Sequence, residues 1–255
     1  MIYFLIAAAV TAGLAAVHMV YLARNYRVTH ETAGLPIKMR TRKVLFISDI
    51  HRRSVKSLVR DLEQGHTDMV WIAGDLAEKG VPRQRIETNI RLLKRLAPVI
   101  FVWGNNDYEW PSDALEKLLK ENGVQILKDD CLIFEEEYGT WCLAGTDDLT
   151  SGQPDFPLLN SKLTGYAVLL AHNPETVNSF APGTFRYALT GHTHGGQIRL
   201  GPFGIAERGG WKYRNGTRLL ISEGFGTTRL PFRLGTRSEC HMIRICTDEQ
   251  TISKG

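Results

Sequence analysis

The sequence predicts an α/β protein whose first half is a parallel, helix-crossed sheet and whose second half is rich in strands, preceded by one apolar segment of membrane length. Three observations carry this. Between residues 43 and 103, three short apolar runs (Lys43–Ser48, Asp68–Ala73 and Pro98–Trp103) alternate with helical stretches. That alternation is the pattern of βαβ units with buried parallel strands. From Val124 onward strand-like runs dominate, at 124–127, 131–134, 141–145, 166–171, 186–190, 196–200, 218–222 and 239–246. Finally, no residue from Ile2 to Ala23 carries a formal charge, and about 20 apolar residues suffice to cross a bilayer as a helix.

Taken in chain order, residues 1–23 read as a transmembrane anchor, with Tyr3 and Tyr21 near its ends, where amphipathic aromatics prefer the headgroup level. A cleaved signal peptide is the alternative, but the run lacks a positive leading region and is long for one. Arg24, Arg27, Lys38, Arg40, Arg42 and Lys43 all follow the segment. By the positive-inside rule this predicts a single-pass protein of the cell membrane with its large C-terminal part in the cytoplasm. Residues 24–41, with Gly34-Leu-Pro36, read as a basic juxtamembrane linker, and residues 42–255 as the main domain.

Within that domain, Val55, Leu58, Val59 and Leu62 predict a helix over about 54–64. Pro82 opens a second helix, carrying Ile86, Ile90, Leu93 and Leu96. Ser112 is the expected N-cap of a third, backed by Leu115, Leu118 and Leu119. The four cysteines, Cys131, Cys142, Cys240 and Cys246, form no metal-type pair and mostly sit in apolar runs, so buried free thiols are expected.

The net charge is +4 and the pI about 8.9. Several of the basic residues are juxtamembrane, so they read as contacts to anionic headgroups before a nucleic-acid patch. No basic stripe with interleaved aromatics is visible in the main domain, which argues against a nucleic-acid partner.

The chemistry lies where the strands end. The early strands end at Asp49 and His51, at Asp75, and at Asn105. The run Ala167–Ala171 ends at His172, and Tyr187-Ala-Leu189 leads into His192 and His194. In open α/β sheets, ligands bind at the carboxyl edge. Five strand ends thus deliver four imidazoles, two carboxylates and one amide oxygen. The chain holds 8 His, and half of them belong to this set. Any one of these residues alone reads as a cap or turn residue; seven at successive strand ends read as ligands. Seven mixed N and O donors suit two borderline divalent metals rather than one, the arrangement for in-line displacement at phosphorus. No Ser or Cys nucleophile motif and no Gly-x-x-x-x-Gly-Lys phosphate loop competes with this.

In that order, Asp49-x-His51, Gly74-Asp75, Gly104-Asn105-x-Asp107, His172 and Gly191-His192-x-His194 resemble the calcineurin-like metallophosphoesterases. Gly191–Gln197, Glu223–Thr228 and Leu230-Pro-Phe-Arg233 resemble the family's membrane-associated bacterial phosphodiesterase branch. The resemblance implies a four-layer αββα sandwich of two mixed sheets with a dinuclear site between them. It places Asp49, His51 and His194 on one metal and Asn105, His172 and His192 on the other, with Asp75 bridging. The metals would be Mn, Zn or Fe, with Mn favoured, and a hydroxide between them would be the nucleophile. Asp107 would orient neighbouring groups, and catalysis would draw on Asn106, Asp107 and His192.

One position departs from the family, which usually has His after the ligand Asn where this chain has Asn106. An amide donates a hydrogen bond but delivers no proton near neutral pH. The expectation is a phosphodiester or pyrophosphate substrate, with a lipid-linked molecule suggested by the anchor. The rivals are a metal-binding scaffold with lost catalysis and a nuclease. Arg52, Arg53 and Asn106 are the candidate substrate contacts, the two arginines as a phosphate clamp. Oligomeric state is not legible.

Overall fold

The computed structural model describes residues 1–248, so the expected end of the main domain at 255 lies outside the described residues. The apolar runs of the first half form β2 (Arg42–Ile47), β3 (Met69–Ala73), β4 (Val99–Val102) and the short β5 (Gln125–Ile126), all parallel neighbours. Because side chains alternate across a strand, each run feeds two cores. Leu45, Ile47, Val70, Ile72, Val99 and Phe101 pack under α2 (Lys56–Leu62), α3 (Arg83–Lys94) and α4 (Ser112–Glu121). Val44, Phe46, Trp71, Ile100 and Val102 face a second sheet instead.

The second sheet comprises β6 (Asp130–Glu136), β7 (Gly139–Gly145), β8 (Tyr166–Leu170), β9 (Tyr187–Thr190), β12 (Gly210–Arg214) and β13 (Thr217–Ile221), in the order β12-β13-β9-β8-β7-β6. Trp141, Leu143, Val168, Leu170, Leu189 and Leu220 meet the first sheet. On the other face Ala144, Leu169, Ala188 and Leu219 are covered by α5 (Phe156–Lys162) and the turn Pro174–Ser179. The result is the αββα sandwich, each sheet mixing parallel and antiparallel neighbours. Each fully buried large side chain contributes about 2 kcal/mol, which explains why both faces of the central strands are apolar.

Several local expectations are corrected. The stretch 24–41 is not a linker: Arg27–Leu35 forms β1, paired in parallel over its whole length with β14 (Glu239–Thr247) at the edge of the first sheet. Only Ala33 and Leu35 of β1 are buried, so its composition is polar; the open edge of β14, not hydrophobicity, makes it a strand. Ser112 is the first helical residue of α4 rather than its cap, and the cap position falls on Pro111, with no side-chain cap bond. The run 196–200 shrinks to β10 (Arg199–Leu200), which turns back into β11 (Phe203–Gly204). Helix α5 carried no apolar period to betray it; it is started by Asp155, whose carboxylate accepts from Leu158 N at 2.9 Å. The cysteines are free, all buried except half-exposed Cys131.

Helix α1 (Ile2–Arg24) has a mean hydropathy of 2.0 and is exposed for most of its length, the one described helix long and apolar enough to cross a membrane. A helix leaves its last carbonyls unpaired, and here the domain supplies donors. Ser238 Oγ and Arg53 Nη1 reach Ala23 O at 2.8 and 3.0 Å, and Arg53 Nη2 binds Arg24 O; further in, at a carbonyl within the helix, Arg233 N also donates to Met19 O at 3.1 Å.

Candidate metal centre

β2, β3 and β4 of one sheet and β8 and β9 of the other end on a common edge, and the turns beyond them hold all seven expected donors. Asp49 (φ 54°), His51 (51°), Asp75 (54°), His192 (70°) and His194 (49°) sit in the left-handed region. That conformation is unfavourable for side chains other than Asn, Asp or Gly and clusters where geometry serves a site. The turns also pack against one another closely. A Cβ on Gly104 would lie 2.4 Å from Asp75 Oδ1, and one on Gly191 would lie 2.4 Å from Asp49 Oδ2. Glycine is therefore required at both positions.

The donors fall into two groups. In the first, His194 Nε2 lies 3.2 Å from His51 Nε2 and 3.3 Å from Asp49 Oδ1. In the second, Asn105 Oδ1 lies 3.0 Å from His172 Nε2 and 2.9 Å from His192 Nδ1, and those two nitrogens are 3.2 Å apart. Asp75 stands between the groups: its Oδ2 is 3.4 Å from His172 Nε2 and 3.7 Å from His51 Nε2. Two triads, Asp49/His51/His194 and Asp49/Asp75/His172, are buried and compact enough to hold an ion. Asp49, His51, Asp75 and His172 are at most 1% exposed.

The chemistry of these contacts fits a cation. His172 Nδ1 lies 2.9 Å from Ala73 O, a pure acceptor, so that nitrogen carries the proton. Its Nε2 lone pair then points at Asn105 Oδ1, Asp75 Oδ2 and His192 Nδ1. Acceptors gathered this closely around one nitrogen call for a proton or a metal between them. Without a metal the protein recruits protons. Burial alone would depress His172, but the Asp75 carboxylate facing it wins and raises it to about 10. Burial likewise raises Asp75, yet the charges of His172 and His51 pull it well below the ordinary carboxylate range. His194 is lowered to about 3, chiefly by burial, with the Asp49 carboxylate opposing and the charges of His51 and Arg233 adding to the lowering. It is neutral and ready to coordinate near neutral pH.

Asp107 does not join either group. Its carboxylate accepts from Asp75 N and Ala77 N, both at 2.8 Å, and from Gly104 N at 2.9 Å, locking the β3 and β4 turns together. Burial, then the charge of Asp75, raises it to about 7. Asn106 donates to Asp75 through Nδ2 (2.6 Å to Oδ2) and through its backbone N–H (2.8 Å to Oδ1). Its amide therefore orients the carboxylate between the groups.

Arg53 is corrected as a phosphate clamp. Besides the helix carbonyls it binds Phe225 O at 2.6 Å and lies 4.2 Å from the Phe225 ring, so its guanidinium is consumed by structure. Arg52 stays exposed but its Nε is paired with Glu78 and its Nη2 with Lys79 O at 2.8 Å. Of the flanking basic residues read as lipid contacts, Arg27 pairs with Glu239 at 2.6 Å and Arg40 with Asp68 at 3.0 Å, and Arg42 pairs with Glu136.

Two positioning residues had no assigned role in the sequence reading. Glu78 Oε2 lies 3.0 Å from His51 Nδ1 and aims the opposite nitrogen into the site; a carboxylate three residues behind Asp75 was its only sequence signal. Arg233, fully buried, lies 3.3 Å from His194 Nδ1 through Nη2. Its motif was visible but gave no hint of burial. Replacing Glu78 with Gln is expected to weaken metal binding about 10–100-fold with the melting temperature nearly unchanged. Titration with Mn²⁺ by calorimetry checks this.

A two-sheet sandwich carrying this His/Asp/Asn cluster at a shared strand edge has the build of a metal-dependent phosphoesterase. The chain belongs to the calcineurin-like phosphoesterase family, whose model matches residues 42–196. It is 38% identical over 211 residues to the uncharacterized protein YpbG of Bacillus subtilis (strain 168), covering 81% of this chain and 82% of that protein. It is 28% identical over 170 residues, 62% of each chain, to the phosphodiesterase YaeI of Escherichia coli (strain K12). Among solved structures, the 5'-nucleotidase precursor from Thermus thermophilus superposes with a TM-score of 0.51 at 11% identity, over 83% of this chain and 55% of that one. At that identity the likeness concerns the fold alone.

Proposed function

We propose that the protein is a membrane-anchored, two-metal phosphohydrolase that cleaves a phosphodiester or pyrophosphate bond in a lipid-linked or membrane-proximal substrate. The observation that carries the reading is the place of Asp75, whose one oxygen faces an imidazole of each donor group. Bound there, two divalent ions, Mn²⁺ by preference, would supply charge neutralisation at the phosphoryl group and the lowered water pKa that hydrolysis needs. Asp49, His51 and His194 would hold one ion, and Asn105, His172 and His192 the other. The chain's own work is to keep these donors gathered, aimed and dry. Ala73 O and Glu78 fix two imidazoles; Asp107 fixes the turns; Asn106 fixes Asp75.

Asn106 supports diester over monoester chemistry. With both its donors on Asp75 and no proton to give, it favours leaving groups that need none. Asn106→His is accordingly expected to lower diesterase turnover about tenfold, by loosening Asp75, without raising monoesterase activity. Parallel kcat measurements on an aryl phosphodiester and its monoester check this. A large gain in monoesterase rate would favour the scaffold reading, in which Asn106 marks lost catalysis.

The membrane side of the reading is supported by α1, whose 23 residues span about 35 Å at 1.5 Å each, against a hydrocarbon core of about 30 Å. The basic residues after it favour a catalytic domain on the cytoplasmic side. The detergent-solubilised enzyme tests the substrate class: efficient cleavage of soluble diesters with none of lipid-linked ones sinks the lipid-linked assignment.

A further inference from the structure

Immediately after the His192-x-His194 turn, the chain forms a small hairpin that displays apolar side chains to the outside. Leu200 is 72% exposed, Phe203 77% and Ile205 95%, and Leu230 on the neighbouring segment is 58% exposed. The hairpin is not loose. Arg199, buried at its base, donates through Nη1 to Gly195 O and Ala206 O at 2.9 and 2.7 Å, and through Nη2 to Pro202 O at 2.5 Å. A clamped hairpin holds its apolar side chains outward, uncovered by any of the described residues, and grouped apolar exposure of this kind marks a contact surface.

The hydrogen bonds tie this surface to the membrane-length helix. Arg199 N donates to Leu234 O at 2.7 Å, and Gln197 Nε2 donates to Thr228 O and Leu230 O, each at 3.1 Å. From the same segment, Arg233 N donates to Met19 O of α1. The hairpin, the segment 228–234 and the last turns of α1 are thus one bonded unit. Met19 lies about 7 Å along the helix axis from Arg24, within the depth of about 5–10 Å at which interfacial apolar segments lie in a bilayer. The charge agrees: residues 196–206 and 224–238 contain no Asp or Glu, and Arg229 and Arg237 are exposed there.

We infer that the hairpin 198–205, with Leu230, dips into the surface of the bilayer that α1 crosses, holding the metal centre at the headgroup level so that the phosphate of an amphiphile reaches it from the membrane. This rests on the anchored-phosphohydrolase reading above. The occupant is an anionic lipid surface, which accepts Leu200, Phe203 and Ile205 among its acyl chains and Arg229 and Arg237 among its headgroups.

The test uses the full chain reconstituted into vesicles of phosphatidylethanolamine with about 30% phosphatidylglycerol, with and without brominated acyl chains. Phe203→Trp adds a reporter at the hairpin, read as the difference from the parent protein. The expected result is a blue-shifted emission increment that brominated lipid quenches at least twofold. A water-like, unquenched increment in a chain that floats with the vesicles overturns the docking inference and leaves the anchor standing. A blue-shifted but unquenched increment means that a protein covers the face, which also overturns it. A chain that does not float overturns the anchor reading and this inference with it. As a second readout, Leu200→Ser/Phe203→Ser/Ile205→Ser is expected to keep cleavage of a soluble aryl diester within twofold while losing about tenfold on a diester lipid in vesicles. Equal effects on both substrates, with an unchanged melting temperature, contradict the inference.

Discussion

Asp75→Ala is expected to lower metal-dependent hydrolysis about 1,000-fold or more and to leave the chain unable to hold two ions together. The carboxylate reaches both donor sets through a single oxygen, with His51 Nε2 on one side and His172 Nε2 on the other. Removing it leaves no anionic group between the imidazoles of the two sets to offset the mutual repulsion of two cations. Losing a cluster that stabilises transition-state charge by roughly 4 kcal/mol corresponds to about three orders of magnitude in rate. Metal content after gel filtration and kcat on an aryl phosphodiester, measured on the same preparation, check the expectation. Retention of both metals and a tenth of the rate would remove Asp75 from its bridging place.

Arg233→Met is expected to lower stability by about 3–5 kcal/mol, because removing a buried charged partner strands the groups it served. The guanidinium donates to Glu223 O at 2.6 Å, Gly226 O at 2.7 Å, Gly224 O and Arg237 O at 3.2 Å, and His194 O at 3.3 Å. Burial lowers it to about 10, so it remains charged at neutral pH. A long apolar side chain of similar volume fills the space but satisfies none of those carbonyls. For a chain of this size the loss corresponds to a melting temperature lower by about 10 °C, readable by circular dichroism in detergent. The same loop holds Asp49: Gly226 N donates to Asp49 O at 2.6 Å. Metal affinity should therefore fall with stability. A shift below about 2 °C would show that water serves those carbonyls equally well.

The sequence made the site far more legible than its support. Asp49, His51, Asp75, Asn105, His172, His192 and His194 could be found because a strand end is recognisable from an apolar run, and several polar ends in a row are informative together. The central strands β2, β3 and β4 were legible for the same reason, being apolar on both faces. What failed had no local signal. β1 is a strand through the edge it meets, at the far end of the chain. Arg53 looks like a phosphate ligand beside His51, but Ala23, Arg24 and Phe225 claim it through tertiary contacts. Glu78 and Arg233 act through His51 and His194, and such roles depend on geometry that spacing alone does not encode.

The most direct measurement is the stoichiometric titration of the metal-free full chain in detergent with Mn²⁺, followed by electron paramagnetic resonance and by hydrolysis of an aryl phosphodiester at each point. Two ions about 3.5–4 Å apart are magnetically coupled. The expected result is binding of two Mn²⁺ per chain, a spin-coupled signal that grows with the second ion, and turnover that rises with that signal and is absent from Asp75→Ala. A single uncoupled Mn²⁺, or two with no turnover above the variant, would contradict a dinuclear hydrolase.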